Sequence, residues 1–221
     1  MNDEARKTLS RRSGLRLGLG AGLALAALSL PALPALAEDA AVLGFRSARF
    51  GMTEDEVRDA ISKDFGQSGD QIEVTTPDLA RTKILRIKVS NLIEDTGDSV
   101  VTYVLGYQSQ RLFRVNVVWG TPVNPETTAA QINKIATLLQ QYFDGQNFPP
   151  DNVTRRLKIN NNTVMLLRAA DLEGRTVALL LQQAQVQPEG QAEPSWAYLL
   201  RLSYILDPEH LDVYQLEPGD F

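Results

Sequence analysis

The side chains able to do chemistry are few and scattered. His210 is the only histidine, and the chain has no cysteine. A Ser-His-Asp triad would need His210 as its base. That residue stands in Asp207-Pro208-Glu209-His210, and no G-x-S-x-G phrase occurs in the chain. His210 therefore reads as a solvated tail residue. Without cysteine there is no thiolate nucleophile, no thiolate metal site and no disulfide framework. One histidine and no H-E-x-x-H leave carboxylates almost alone for a transition metal.

Paired acids are the remaining route to hydrolysis. Candidate pairs include Asp55 with Asp59 and Asp95 with Asp98, and solvated charge on a helix face and in a turn accounts for both. Asp95-Thr96-Gly97-Asp98 lacks the D-x-D-x-D-G spacing and the distal Glu of a calcium loop. No Gly-rich phosphate loop follows a strand. The reading assigns no catalytic residue, no metal and no cofactor.

Recognition chemistry is better represented. Trp119, Trp196, Tyr103, Tyr107 and Tyr198 are the candidate interface residues, because aromatic side chains concentrate at binding hot spots. For Trp119 and Trp196, both at strand ends, core anchoring is the ordinary alternative. Asn152-Val153-Thr154 and Asn161-Asn162-Thr163 fit N-x-[ST], a pattern without weight under a bacterial-type export signal.

That signal occupies residues 1–37. Arg6, Lys7, Arg11, Arg12 and Arg16 form a basic start, Leu17–Leu30 is an apolar run, and Ala35-Leu36-Ala37 supplies small residues for cleavage. The run is too short for a bilayer core that needs about 20 residues. Ser10-Arg11-Arg12-Ser13-Gly14-Leu15-Arg16 is similar to the twin-arginine export motif, with ordinary n-region charge as the alternative. The expected location is the periplasm or the exterior of a bacterium, with no lipid anchor and no transmembrane segment in the mature chain. Removing five basic and two acidic residues from 22 and 27 leaves 17 and 25, a net −8. An acidic domain argues against nucleic acid as a partner.

The mature chain reads as α+β, with helices packed on antiparallel sheet. Glu38–Gly44 reads as a mobile Ala-rich lead. Thr53 and Glu56 form a capping box, and Val57, Ala60, Ile61 and Phe65 follow at helical spacing. Gly66 stops this helix. In residues 83–91, Leu85, Ile87 and Val89 alternate with Arg86 and Lys88, the pattern of a half-buried strand. Strands at 100–107 and 112–119 complete a meander. A second helix is expected from about Glu126 to Phe143, with Ile132, Ile135, Ala136, Leu138, Leu139, Tyr142 and Phe143 on one side. Strands follow at 154–159, 163–170, 175–185 and 196–206. The order is helix plus strands, twice, in units 38–120 and 121–206, with an acidic tail over 207–221. One continuous sheet or two small subdomains would satisfy it.

The stretch Phe50-Gly51-Met52-Thr53-Glu54-Asp55-Glu56-Val57, with Ile61 and Gly66 beyond, resembles an F-G-M-T-x-x-x-V signature of small exported proteins. One such group is the helper lipoprotein of the outer-membrane β-barrel assembly machine; the other is the β-lactamase inhibitory protein, built from two helix-plus-sheet repeats. The resemblance covers residues 50–66 and implies a non-catalytic domain that binds another protein of the periplasm. The cysteines of both groups are absent here, and the second helix carries no G-M-T phrase. Two further readings stand beside it: a carboxylate-dependent envelope hydrolase, and a binder of a small or lipidic ligand held in an apolar cavity between helices and sheet.

Overall fold

The computed structural model describes residues 39–187 and 194–216. The export pattern, most of the Pro188–Pro194 insert and the end of the tail lie outside the described residues. Among the described residues the fold is α+β: two α-helices, one eight-stranded antiparallel sheet and a separate two-stranded hairpin.

Helix α1 (Glu54–Phe65) starts at the capping box. Glu56 donates its backbone N–H to the Thr53 hydroxyl at 3.3 Å, and Thr53 donates its N–H to the Glu56 carboxylate at 2.8 Å. Gly66, at φ 66°, ends the helix in the left-handed region, where a Cβ is costly. Val57, Ala60 and Ile61 are buried.

Helix α2 runs Ala129–Asp144 and begins later than its apolar stripe suggests. Its cap is Thr128, in a second reciprocal box with Gln131. Glu126 instead gives its N–H to the Asn124 side chain in the preceding turn. The buried face is also narrower than expected. Ile132, Ile135, Ala136 and Phe143 are buried, whereas Leu138 and Tyr142 are exposed on a flank beside a groove.

The first meander comprises β3 (Glu73–Thr75), β4 (Lys83–Ser90), β5 (Asp98–Leu105) and β6 (Leu112–Gly120). The second comprises β7 (Val153–Asn160), β8 (Thr163–Ala170), β9 (Thr176–Val186) and β10 (Ser195–Ile205). Their order, β3-β4-β5-β6-β10-β9-β8-β7, joins the two meanders along their last strands into one continuous sheet. The seam runs from Leu199↔Gly120 to Ile205↔Arg114. Period-2 alternation sends Leu85, Ile87, Tyr103, Val117, Trp119, Leu200 and Leu202 into one core with the apolar residues of both helices. Arg86 and Lys88, between them in β4, are exposed.

Both ends of the described fold are tied down. The lead expected to be mobile is held by Ala40 N–H to the Asn147 carbonyl (3.0 Å) and Val42 N–H to the Asp171 carboxylate (2.9 Å). It continues into a hairpin of β1 (Gly44–Phe45) and β2 (Ala48–Arg49), strands too short to leave a periodic signal. At the other end Tyr107 and Tyr214 donate backbone N–H groups to the carbonyls of Asp212 and Ala80. The Arg81 guanidinium lies 3.7 Å over the Tyr214 ring. Among the described residues no helix is long and apolar enough to cross a membrane.

Candidate functional site

Two of the five aromatic candidates are interior. Trp119, 1% exposed, and Tyr103 lie in the core beneath the helices. Burial pushes the Tyr103 hydroxyl well above its ordinary pKa. Tyr107 packs edge-on against Tyr214 at 5.4 Å and helps to hold the C-terminal segment. Trp196 and Tyr198 have a different setting.

Strands β9 and β10 pair along their whole length, from Thr176↔Ile205 to Val186↔Ser195. Strand β6 pairs with β10 only as far as Leu199, and β8 pairs with β9 only as far as Gln182. Residues 183–186 and 195–198 therefore extend past the sheet as a two-stranded ribbon. Its base is tied by Gln183 N–H to the Asn162 carbonyl (2.9 Å) and Tyr198 N–H to the Thr121 hydroxyl (3.0 Å). Trp196 lies beyond both ties and is 50% exposed. Alternation places Trp196 and Tyr198 on the helix side of the sheet, in phase with Leu200 and Leu202.

The four carboxylates do not form an acid pair suited to catalysis. Asp55, Asp59 and Asp95 are exposed. Asp98 is held by Lys88 at 2.8 Å and Ser90 at 2.7 Å; these two partners, Lys88 foremost, keep its carboxyl below the ordinary range. His210, among the described residues, bonds only within its own turn, 3.0 Å from Asp207, with its side chain 83% exposed. Among the described residues no three His, Cys, Asp or Glu converge as metal ligands.

Depressions lie on both faces of the sheet. On the helix side, a groove of about 490 Å³ is lined by Phe45, Trp119, Leu139, Tyr142 and Tyr204. The opposite face holds a cluster that sequence reasoning missed. Register sets Thr102, Asn116, Ser203, Ala178 and Arg168 in one row across β5, β6, β10, β9 and β8. Asn116 donates its amide to the Thr102 hydroxyl at 3.3 Å, and Ser203 donates its hydroxyl to the Asn116 oxygen at 2.8 Å. Arg114 and Arg201 flank this Asn116–Ser203 pair diagonally, each two residues before its own strand's member.

Arg114, Arg168 and Arg201 line a pocket of about 280 Å³ that no carboxylate lines. The Nε atoms of Arg114 and Arg201 are buried and have no hydrogen-bond partner among the described residues. Desolvation, and then the nearby Arg201 charge, hold the Arg114 guanidinium below its ordinary pKa. A signal for this cluster exists in the sequence. Each arginine interrupts an apolar strand: Phe113-Arg114-Val115, Leu167-Arg168-Ala169 and Leu200-Arg201-Leu202. A half-buried strand with a solvated outer face gives the same pattern, so the register was needed to bring the three together.

No family model, curated protein or solved structure matches the chain.

Proposed function

We propose that this is a non-catalytic binding module, exported to the bacterial periplasm or exterior, that engages a partner protein through the β9–β10 ribbon. The observation that carries the reading is Trp196, half exposed on a ribbon that neither β6 nor β8 flanks. Tryptophan offers a large apolar area with few rotatable bonds, and its truncation at a hot spot typically costs 2 kcal/mol or more. Dispersed carboxylates and a solvent-facing histidine favour binding over acid–base catalysis. The F-G-M-T helix start supports the same class, and the basic, apolar, A-x-A order of residues 1–37 supports the location. Affinity capture of the tagged chain from its host's periplasm tests the reading. A stoichiometric partner retained by the native chain and lost from Trp196→Ala supports it. Equal capture by both removes the ribbon from the account.

A second reading, a small apolar or lipidic ligand, draws on the helix-side groove. Its size lies within the range of about 300–1,000 Å³ typical of ligand pockets, and Trp119 is one of its walls. A saturable change in tryptophan emission on fatty-acid titration, retained in Trp196→Phe, would support it. No change would end it.

A further inference from the structure

We propose that the arginine pocket on the helix-free face of the sheet binds a phosphate or phosphate-monoester group. The inference rests on Arg114, Arg168 and Arg201 and is independent of the ribbon.

Three half-buried guanidiniums line one pocket, and none makes an ion pair or side-chain hydrogen bond among the described residues. Several arginines elsewhere among the described residues do find carboxylate partners. Arg58 bonds Glu54 at 2.7 Å, Arg155 bonds Asp144 at 2.7 Å and Arg175 bonds Asp171 at 2.7 Å. The mature part carries 25 acidic residues, so carboxylates are plentiful, yet none lines this pocket. Desolvated and mutually repelling cations cost stability unless something offsets them. Folding alone gives no reason to collect them here; an anion does.

Charge and shape select the anion. A phosphate monoester carries about −1.5 to −2 at pH 7 and three acceptor oxygens, so it can meet guanidinium forks from several directions. A single carboxylate would leave two cations unbalanced. The pocket lies just under the usual range for drug-sized ligands, which suits a headgroup more than a whole large molecule. Its floor is preorganised, because the Ser203–Asn116 hydrogen bond joins the two neighbouring strands that carry Arg201 and Arg114, and Asn116 bonds on to Thr102 in β5. The negative surroundings do not prevent this, since exposed charges are largely screened beyond about 10 Å at 0.1 M salt.

Titration calorimetry of the full chain at low salt tests the proposal, with inorganic phosphate, glycerol phosphate and succinate as probes. Saturable 1:1 binding of a phosphate species is expected, weakened at least tenfold in Arg201→Met and in Arg114→Met. Those variants should melt at the same temperature as the native chain or higher, because each removes a half-buried guanidinium whose Nε is unpaired. Tighter binding of glycerol phosphate than of phosphate would identify an organic phosphate headgroup as the source; equal binding would identify the free ion. No saturable binding at millimolar phosphate would overturn the proposal. So would affinity unchanged in both variants, or succinate bound as tightly as phosphate.

Discussion

Asp171 and Val42, 129 residues apart in the chain, meet at a buried hydrogen bond of 2.9 Å. The Asp171 carboxylate is 2% exposed. It also accepts from Arg175 Nε at 2.7 Å and from the backbone N–H groups of Glu173 and Arg175 at 3.0 Å. Four donors offset the cost of taking this charge out of water. The result fastens the N-terminal lead to the turn between β8 and β9.

Asp171→Ala is expected to cost about 3 kcal/mol, since it strips a buried charge network of its acceptor. Urea denaturation measures the loss, and hydrogen exchange should show the Val42 amide losing its protection. A loss under about 1 kcal/mol, smaller than the typical cost of breaking such a network, would mean that the lead is held elsewhere.

Gly106 and Asp212 form a second clamp. A Cβ at Gly106 would fall 1.9 Å from Asp212 Oδ2, while the carboxylate accepts from Gln108 N–H at 2.8 Å and Ser109 N–H at 3.0 Å. Gly106→Ala should therefore release the segment around Asp212 and speed exchange of the Tyr214 amide. In an Asp212→Ala background the same substitution should cost less, because the nearer clashing group is gone and only Ser109 Oγ, at 2.6 Å, remains. Additive losses in the double-mutant cycle would contradict the clamp.

Acid should weaken the fold through its paired carboxylates. Lys83 first, and then Arg58, hold Glu54 below its ordinary 4.5. A group whose folded pKa is depressed stabilises the fold above its unfolded value, and that contribution is lost as pH falls through the folded value. The contribution of Glu54 is thus complete at neutral pH and declines below about 4.5. Partial exposure of the pair keeps its share within about 1 kcal/mol. The urea midpoint should therefore fall further between pH 7 and pH 3.5 in the native chain than in Lys83→Met.

The two tryptophans should separate cleanly by stability. Trp119→Phe leaves a void in the core, and Trp119→Ala should cost about 3–5 kcal/mol. Trp196→Ala should stay within about 0.5 kcal/mol, as an exposed substitution does. Thermal melts of both variants are the check.

The elements that the sequence displays best are those set by local chemistry. The Thr53–Glu56 box and the β4 alternation need only near neighbours, and both appear in the structure as read. The apolar stripe points to a start near Glu126, but Thr128 and Gln131, themselves a T-x-x-Q box, set the start of α2 at Ala129. Long-range facts were illegible for a different reason. The β6–β10 seam, the Val42–Asp171 bond and the gathering of Arg114, Arg168 and Arg201 depend on register between distant segments, which no local period encodes. The same limit separates Trp119 from Trp196: both end apolar runs, and only the ribbon's overhang exposes one of them.

The most direct measurement is photo-crosslinking from position 196 in the living host, with a benzophenone amino acid replacing Trp196 and, as a control, exposed Leu172. The account predicts one discrete adduct with a second protein from position 196 and none from 172. Equal labelling from both positions, or no adduct from 196, would contradict binding through the ribbon.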